Sequence, residues 1–143
     1  MPLEGTMVLV VDDDPDNVDV LEALIGHAGA VVRTATSAKQ ALGLLSGWTP
    51  QVLLLDISMP DMDGVDLLLT IRRQPGLESV PAVAVSALTY SSDKERAFSA
   101  GFSAYMTKPY DGPALIELVE WLASPNHRPS SPPGRRSPSV LLP

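Results

Sequence analysis

A chain of 143 residues, 45% of them hydrophobic, is long enough for one well-packed domain and too apolar to be disordered throughout. Its last twenty residues hold three arginines and no acid, so the first 123 carry seven bases against 17 acids, a net charge of −10 that disfavours direct contact with nucleic acid. The lack of cysteine excludes disulfides, thiol catalysis and thiolate metal sites.

Met7 to Val11 is a short apolar run rich in β-branched residues, which predicts a buried strand. Asp14-Pro15 then reads as an N-cap with proline at the first helical position. Val18, Leu21, Leu24, Ile25 and Ala28 follow at helical spacing, with Gly29 as C-cap. A second strand over Val31 to Thr34 leads to a capping box, Ser37 with Gln40, and a helix that ends near Gly47. Val52 to Leu55 is apolar without alternation, as a central strand covered on both faces should be. A helix starts near Gly64 and is broken by Pro75-Gly76. Ala82 to Val85 predicts a fourth strand, Ser92 with Glu95 a capping box for the next helix, and Ser103 to Met106 a fifth strand. Asp111 caps a last helix with Leu115, Leu118, Val119 and Leu122 on one face.

Five strand–helix units predict an α/β fold, a five-stranded parallel sheet with helices on both faces and right-handed crossovers. Residues 1–123 form this domain. Residues 124–143 hold six of the fourteen prolines, and that composition predicts a disordered Pro/Ser/Arg-rich tail. The start lacks the basic region of a signal peptide and no apolar run approaches a membrane span, so a cytoplasmic location without membrane insertion is expected.

In an open α/β sheet the binding crevice lies at the carboxyl ends of the strands. Asp12, Asp13 and Asp14 follow the first strand, Asp56 the third, Ser86 the fourth and Lys108 the fifth. Carboxylates gathered in one crevice repel one another and lose hydration, so a hard divalent cation, Mg²⁺ above all, and a lysine are natural compensators. The same groups suit phosphoryl transfer, with a carboxylate as nucleophile, cationic groups around the phosphoryl oxygens and a small hydroxyl at Ser86 to bind one of them. Other polar residues have simpler roles. Asp14 is a helix cap, and Asp61 and Asp63 form turns with Pro60 and Gly64. Met59 and Met62 are packing groups, Met7 and Met106 sheet core, and His27 a surface residue near a helix end.

The segments VLVVDDDP (8–15), LLLDISMPDMDG (53–64), AVSA (84–87) and MTKPY (106–110), in this order and spacing, resemble the receiver domains of bacterial two-component response regulators, including the single-domain chemotaxis regulators. The resemblance spans residues 7 to 122 and implies the (βα)5 flavodoxin-like receiver fold. By position it makes Asp56 the phosphoacceptor, Asp12 and Asp13 the acidic pair that holds Mg²⁺, and the Ser58 carbonyl a further protein ligand beside Asp56. It makes Ser86 the switch hydroxyl and Lys108 the lysine of such domains, followed by a peptide bond to Pro109 that is usually cis. Ala87 is the small residue beside the switch, and Tyr105 the aromatic that turns inward on activation. Ser58 and Leu88 occupy variable positions linked to the lifetime of the acyl phosphate, and as a short polar and an apolar residue they imply slow self-dephosphorylation.

The implied function is that of a signalling switch and not of a metabolic enzyme. A sensor histidine kinase or histidine phosphotransfer protein would supply the phosphoryl group. With no output domain after residue 123, the signal is expected to pass to a downstream protein by contact on the face of the fourth helix, fifth strand and fifth helix. A phosphohydrolase using an aspartyl phosphate would want a second aspartate two residues after the nucleophile, where Ser58 stands. A non-phosphorylated pseudo-receiver scaffold would be expected to lack Asp13, Asp56 or Lys108. A receiver fragment of a hybrid histidine kinase is a further alternative.

Overall fold

The computed structural model describes residues 1–60, 62–87, 90–124 and 140–143. Its elements alternate from the start: β1 (Met7–Val11), α1 (Pro15–His27), β2 (Val31–Ala35), α2 (Ala38–Leu45), β3 (Val52–Leu55), α3 (Gly64–Arg72), β4 (Ala82–Ser86), α4 (Ser91–Ala100), β5 (Ala104–Thr107) and α5 (Gly112–Ala123). A two-residue strand, β6 (Val140–Leu141), follows. The sheet order is β2-β1-β3-β4-β5-β6. Pairings through β5 are all parallel, and β6 lies antiparallel to β5.

Side-chain patterning explains the layering. β3 and β4 are buried at every position because helices cover both faces of the sheet, whereas β2, at the edge, alternates exposed and part-buried residues. Leu53, Leu55 and Tyr105 contribute to a core shared with α2, α3 and α4. Leu54, Val83 and Met106 contribute to a second core on the other face, shared with α1 and α5. Successive residues of one strand point to opposite faces, so each central strand feeds both cores.

Local signals account for the helix ends. The side chains of Asp14, Ser37, Asp63 and Asp111 accept hydrogen bonds from the amides of Asp16, Gln40, Asp66 and Ala114, respectively. The return bond of the expected box goes one residue further back: Gln40 accepts from the Thr36 amide at 2.8 Å. α4 departs from expectation. It is not capped by Ser92 with Glu95: Tyr90 is its N-cap, without a side-chain cap bond. The Tyr90 carbonyl already accepts from Asp93 and Lys94, at 3.1 and 3.4 Å, which places Ser92 inside the first turn, where a side chain cannot cap.

The second departure is β6. Val140 and Leu141 pair with the sheet, although they belong to the stretch expected to be disordered, and the sheet has six strands where five were expected. Val140, Leu141 and Leu142 are the only large apolar residues of that stretch, and all three pack against the two cores. Residues 125–139 lie outside the described residues, and the expected disorder there lies with them. Among the described residues no helix is long and apolar enough to cross a membrane.

Candidate functional site

β1 and β3 are adjacent, while the strands that follow them in sequence lie to opposite sides, so the strand order reverses between them. A crevice opens at such a point, beyond the carboxyl ends of the strands. Asp12 and Asp56 stand directly at those ends, and the ladder carries them in register. The Asp12 amide donates to the Ala35 carbonyl at 3.2 Å, and the Asp56 amide to the Val11 carbonyl at 2.9 Å.

The three consecutive aspartates diverge in role. Asp12 is 1% exposed, and its Oδ1 accepts from the Asp14 amide at 2.9 Å. Asp13 is exposed, and Asp14 caps α1. Asp56 is 6% exposed, and its Oδ1 accepts from the Ser58 amide at 3.0 Å; Ser58 itself is exposed. Asp12, Asp13 and Asp56 each offer a carboxylate oxygen within 4.8 Å of the others. That all-oxygen donor set fits a hard divalent cation.

Lys108 enters from β5. Its Nζ lies 3.0 Å from Asp12 Oδ2 and 3.9 Å from Asp56 Oδ2, and its amide donates to the Ser86 carbonyl at 2.9 Å. The Lys108–Pro109 bond is cis. Ser86, the last residue of β4, is fully buried and shares a side-chain hydrogen bond with Tyr105, which is fully buried as well. Burial pushes the Tyr105 phenol up, and the bond to Ser86 pulls it back.

One ammonium cannot neutralise three carboxylates. Burial above all, with the neighbouring Asp12 carboxylate, raises the Asp56 pKa from 3.8 to about 6 against the lowering effects of the Ser58 amide and Lys108. The crevice thus holds an acid that accepts a proton more readily than an ordinary aspartate and would give it up to a cation.

The expected group of Asp12, Asp13, Asp56, Ser86 and Lys108 is therefore gathered at one end of the sheet. Ala87 is exposed, and Leu88 and Asp61 lie outside the described residues. Met59 and Met62 pack in the core, Met106 is fully buried, Met7 is half-buried and His27 is exposed. Two supports were not anticipated. Gly64 packs against the backbone that carries Asp56: a Cβ there would lie 2.9 Å from the Asp56 carbonyl carbon and from Ile57 Cα. Asp63, besides capping α3, pairs with Arg96 of α4 at 2.6 Å; against the opposing effect of burial, the hydrogen bond from the Asp66 amide and then this pairing hold its carboxyl below the usual range. The Asp-Gly pair just before a helix is the only sequence signal for either.

This fold and crevice define an α/β domain of the receiver type. The chain belongs to the response regulator receiver domain family, whose model matches residues 8–120. It is 43% identical over 113 residues to an "uncharacterized 14.6 kDa protein in sodA1 3′ region" of Leptolyngbya boryana, covering 79% of this chain and 86% of that one. It is 39% identical over 105 residues to the transcriptional regulatory protein KdpE of Mycobacterium tuberculosis, covering 73% of this chain but only 45% of KdpE. Among solved structures, the Francisella response regulator 1452 receiver domain superposes with a TM-score of 0.77 at 30% identity, over 83% of this chain and 97% of that one. A putative response regulator from Chloroflexus aurantiacus gives 0.79 at 30% identity, over 84% and 98%. The family works as a signalling switch and not as a classical enzyme.

Proposed function

We propose that this chain is the phosphoacceptor of a two-component phosphorelay, working in the cytosol, and that Asp56 takes the phosphoryl group from a phosphohistidine on a sensor kinase or phosphotransfer protein. The observation that carries this reading is a nearly buried aspartate with a raised pKa, set among two further carboxylates and a lysine. An Asp56 carboxylate oxygen forms the new O–P bond as the N–P bond to the donor breaks, and the imidazole keeps the electron pair and takes up a proton. Lys108 Nζ, which lies 3.0 Å from Asp12 and 3.9 Å from Asp56, would neutralise a phosphoryl oxygen, and Ser86 at the end of β4 would donate its hydroxyl to another. Asp12, Asp13 and Asp56 would hold Mg²⁺, with the Ser58 carbonyl as a further ligand. Bound there, the cation would supply positive charge to the transferring group.

Incubation with Mg²⁺ and acetyl phosphate is expected to raise the intact mass by about 80 Da, one phosphoryl group, in an alkali-labile linkage that Asp56→Asn removes. An unmodified chain under several donors, or a label that survives in Asp56→Asn, overturns the reading. A separate Mg²⁺ titration followed by NMR should saturate in the wild-type chain and weaken roughly tenfold or more in Asp13→Asn. Identical titrations would remove Asp13 from the metal site.

A further inference from the structure

Without β6, β5 would be the bare edge of the sheet. An edge strand offers unpaired amides and carbonyls to any extended segment that can lie beside it. The chain supplies such a segment itself: Tyr105 stands opposite Leu141 and Met106 opposite Val140. The side chains alternate as a strand requires. Leu141 joins the core that contains Tyr105, Ala97 and Phe102, on the α4 side. Val140 and Leu142 join the core that contains Met106, Leu115 and Val119, on the α5 side. Val140 is only 7% exposed. The segment therefore straddles β5 and fills apolar ground on both sides of it. Pro143, with no amide to donate, cannot extend the ladder by its own N–H.

We propose that residues 140–142 are an intramolecular plug of a strand-addition site on the β5 edge, a site that takes an extended segment with apolar side chains at successive positions once the plug is displaced. Two paired residues and three apolar side chains are a small interface. It persists because fifteen residues tether it to Ser124, which gives the segment a high effective concentration at its own edge. A competing segment bound in the same manner would gain main-chain pairing from β5 and selectivity from the apolar surfaces that Val140, Leu141 and Leu142 now cover. This edge also borders α4 and α5, the face on which partner contact is expected.

The test uses the full-length chain and a labelled peptide of its own last seven residues, SPSVLLP, followed by fluorescence anisotropy without phosphodonor or Mg²⁺. Val140→Asp/Leu141→Asp, which detaches the plug, is expected to bind the peptide about tenfold or more tightly than wild type. Leu141→Ala, a milder change that leaves Val140 in place, should fall between. A peptide with the same two aspartates should bind neither chain. Amide exchange at residues 104–107 should quicken in the double variant, while its far-UV circular dichroism stays that of the wild type. Equal peptide affinity for wild type and variants overturns the proposal, as does absence of binding together with unchanged exchange. A wild-type dimer that dissociates when residues 140 and 141 are changed also overturns it, because the strand would then be supplied by a second copy. None of these readings passes through Asp56, so the plug and the phosphoacceptor assignment stand or fall separately.

Discussion

Asp56→Asn is expected to stabilise the chain in the absence of divalent cations, by on the order of 1–3 kcal/mol near pH 7.5. The Asp56 pKa is raised from 3.8 to about 6 in the folded protein, chiefly by burial. The folded state then binds a proton more tightly than the unfolded one. Its penalty is absent below pH 3.8, grows as pH rises through the window to about 6, and is present in full above it. Asparagine carries no charge to desolvate, and its side-chain oxygen can still accept from the Ser58 amide. Urea or thermal unfolding in EDTA should therefore show the variant above the wild type at pH 7.5, by a few degrees per kcal/mol, and the two converging near pH 4. Millimolar Mg²⁺ should raise the wild type toward the variant, because a ligand of the folded state stabilises by mass action. A gain of equal size at both pH values would mean that packing, and not charge, explains it.

Gly64→Ala is expected to damage both stability and phosphoryl acceptance. The atoms nearest the new methyl group would all be backbone: the Asp56 carbonyl and Ile57 Cα, the latter at 2.9 Å. Gly64 also donates its amide to the Ile57 carbonyl at 3.0 Å, so it cannot retreat without breaking the contact that closes the loop on α3. Overpacking of this kind costs about 1–3 kcal/mol. Because the displaced backbone carries the proposed nucleophile, the rate of labelling by acetyl phosphate should fall by up to roughly 10²-fold, the scale for an angstrom of misplacement. Gly43→Ala is the control. It lies within α2, where nothing stands within 4 Å of an added Cβ, and removing a helical glycine should be neutral or stabilising by about 0.5–1 kcal/mol. Equal behaviour of the two variants would show that the contact at Gly64 does not constrain Asp56.

What the sequence determined about this protein is most of what short-range physics governs. Apolar runs of four or five residues alternating with 3.6-residue periodicity define strands and helices within their own span. Asp14, Ser37 and Asp111 mark helix starts because a capping bond reaches only two or three residues. The strand-end positions of Asp12, Asp56, Ser86 and Lys108 were legible for the same reason, since a polar residue that ends a buried run must lie at the rim of the sheet. Tertiary structure decided what depends on distant partners. Lys108 reaches Asp12 across 96 positions of chain. Asp12 is buried while Asp13, its neighbour, is exposed, although each offers a carboxylate oxygen to the same cluster. The pKa of Asp56 depends on the burial that the assembled sheet and loops impose. The closeness of Gly64 to the Asp56 backbone appears only when α3 docks. Ser92 carried a local cap signal that lost to the path of the chain into α4, where Tyr90 begins the first turn. β6 left no local signal: a two-residue strand has no period to read, and Val140 and Leu141 become a strand only because β5 offers an open edge beside two apolar cores.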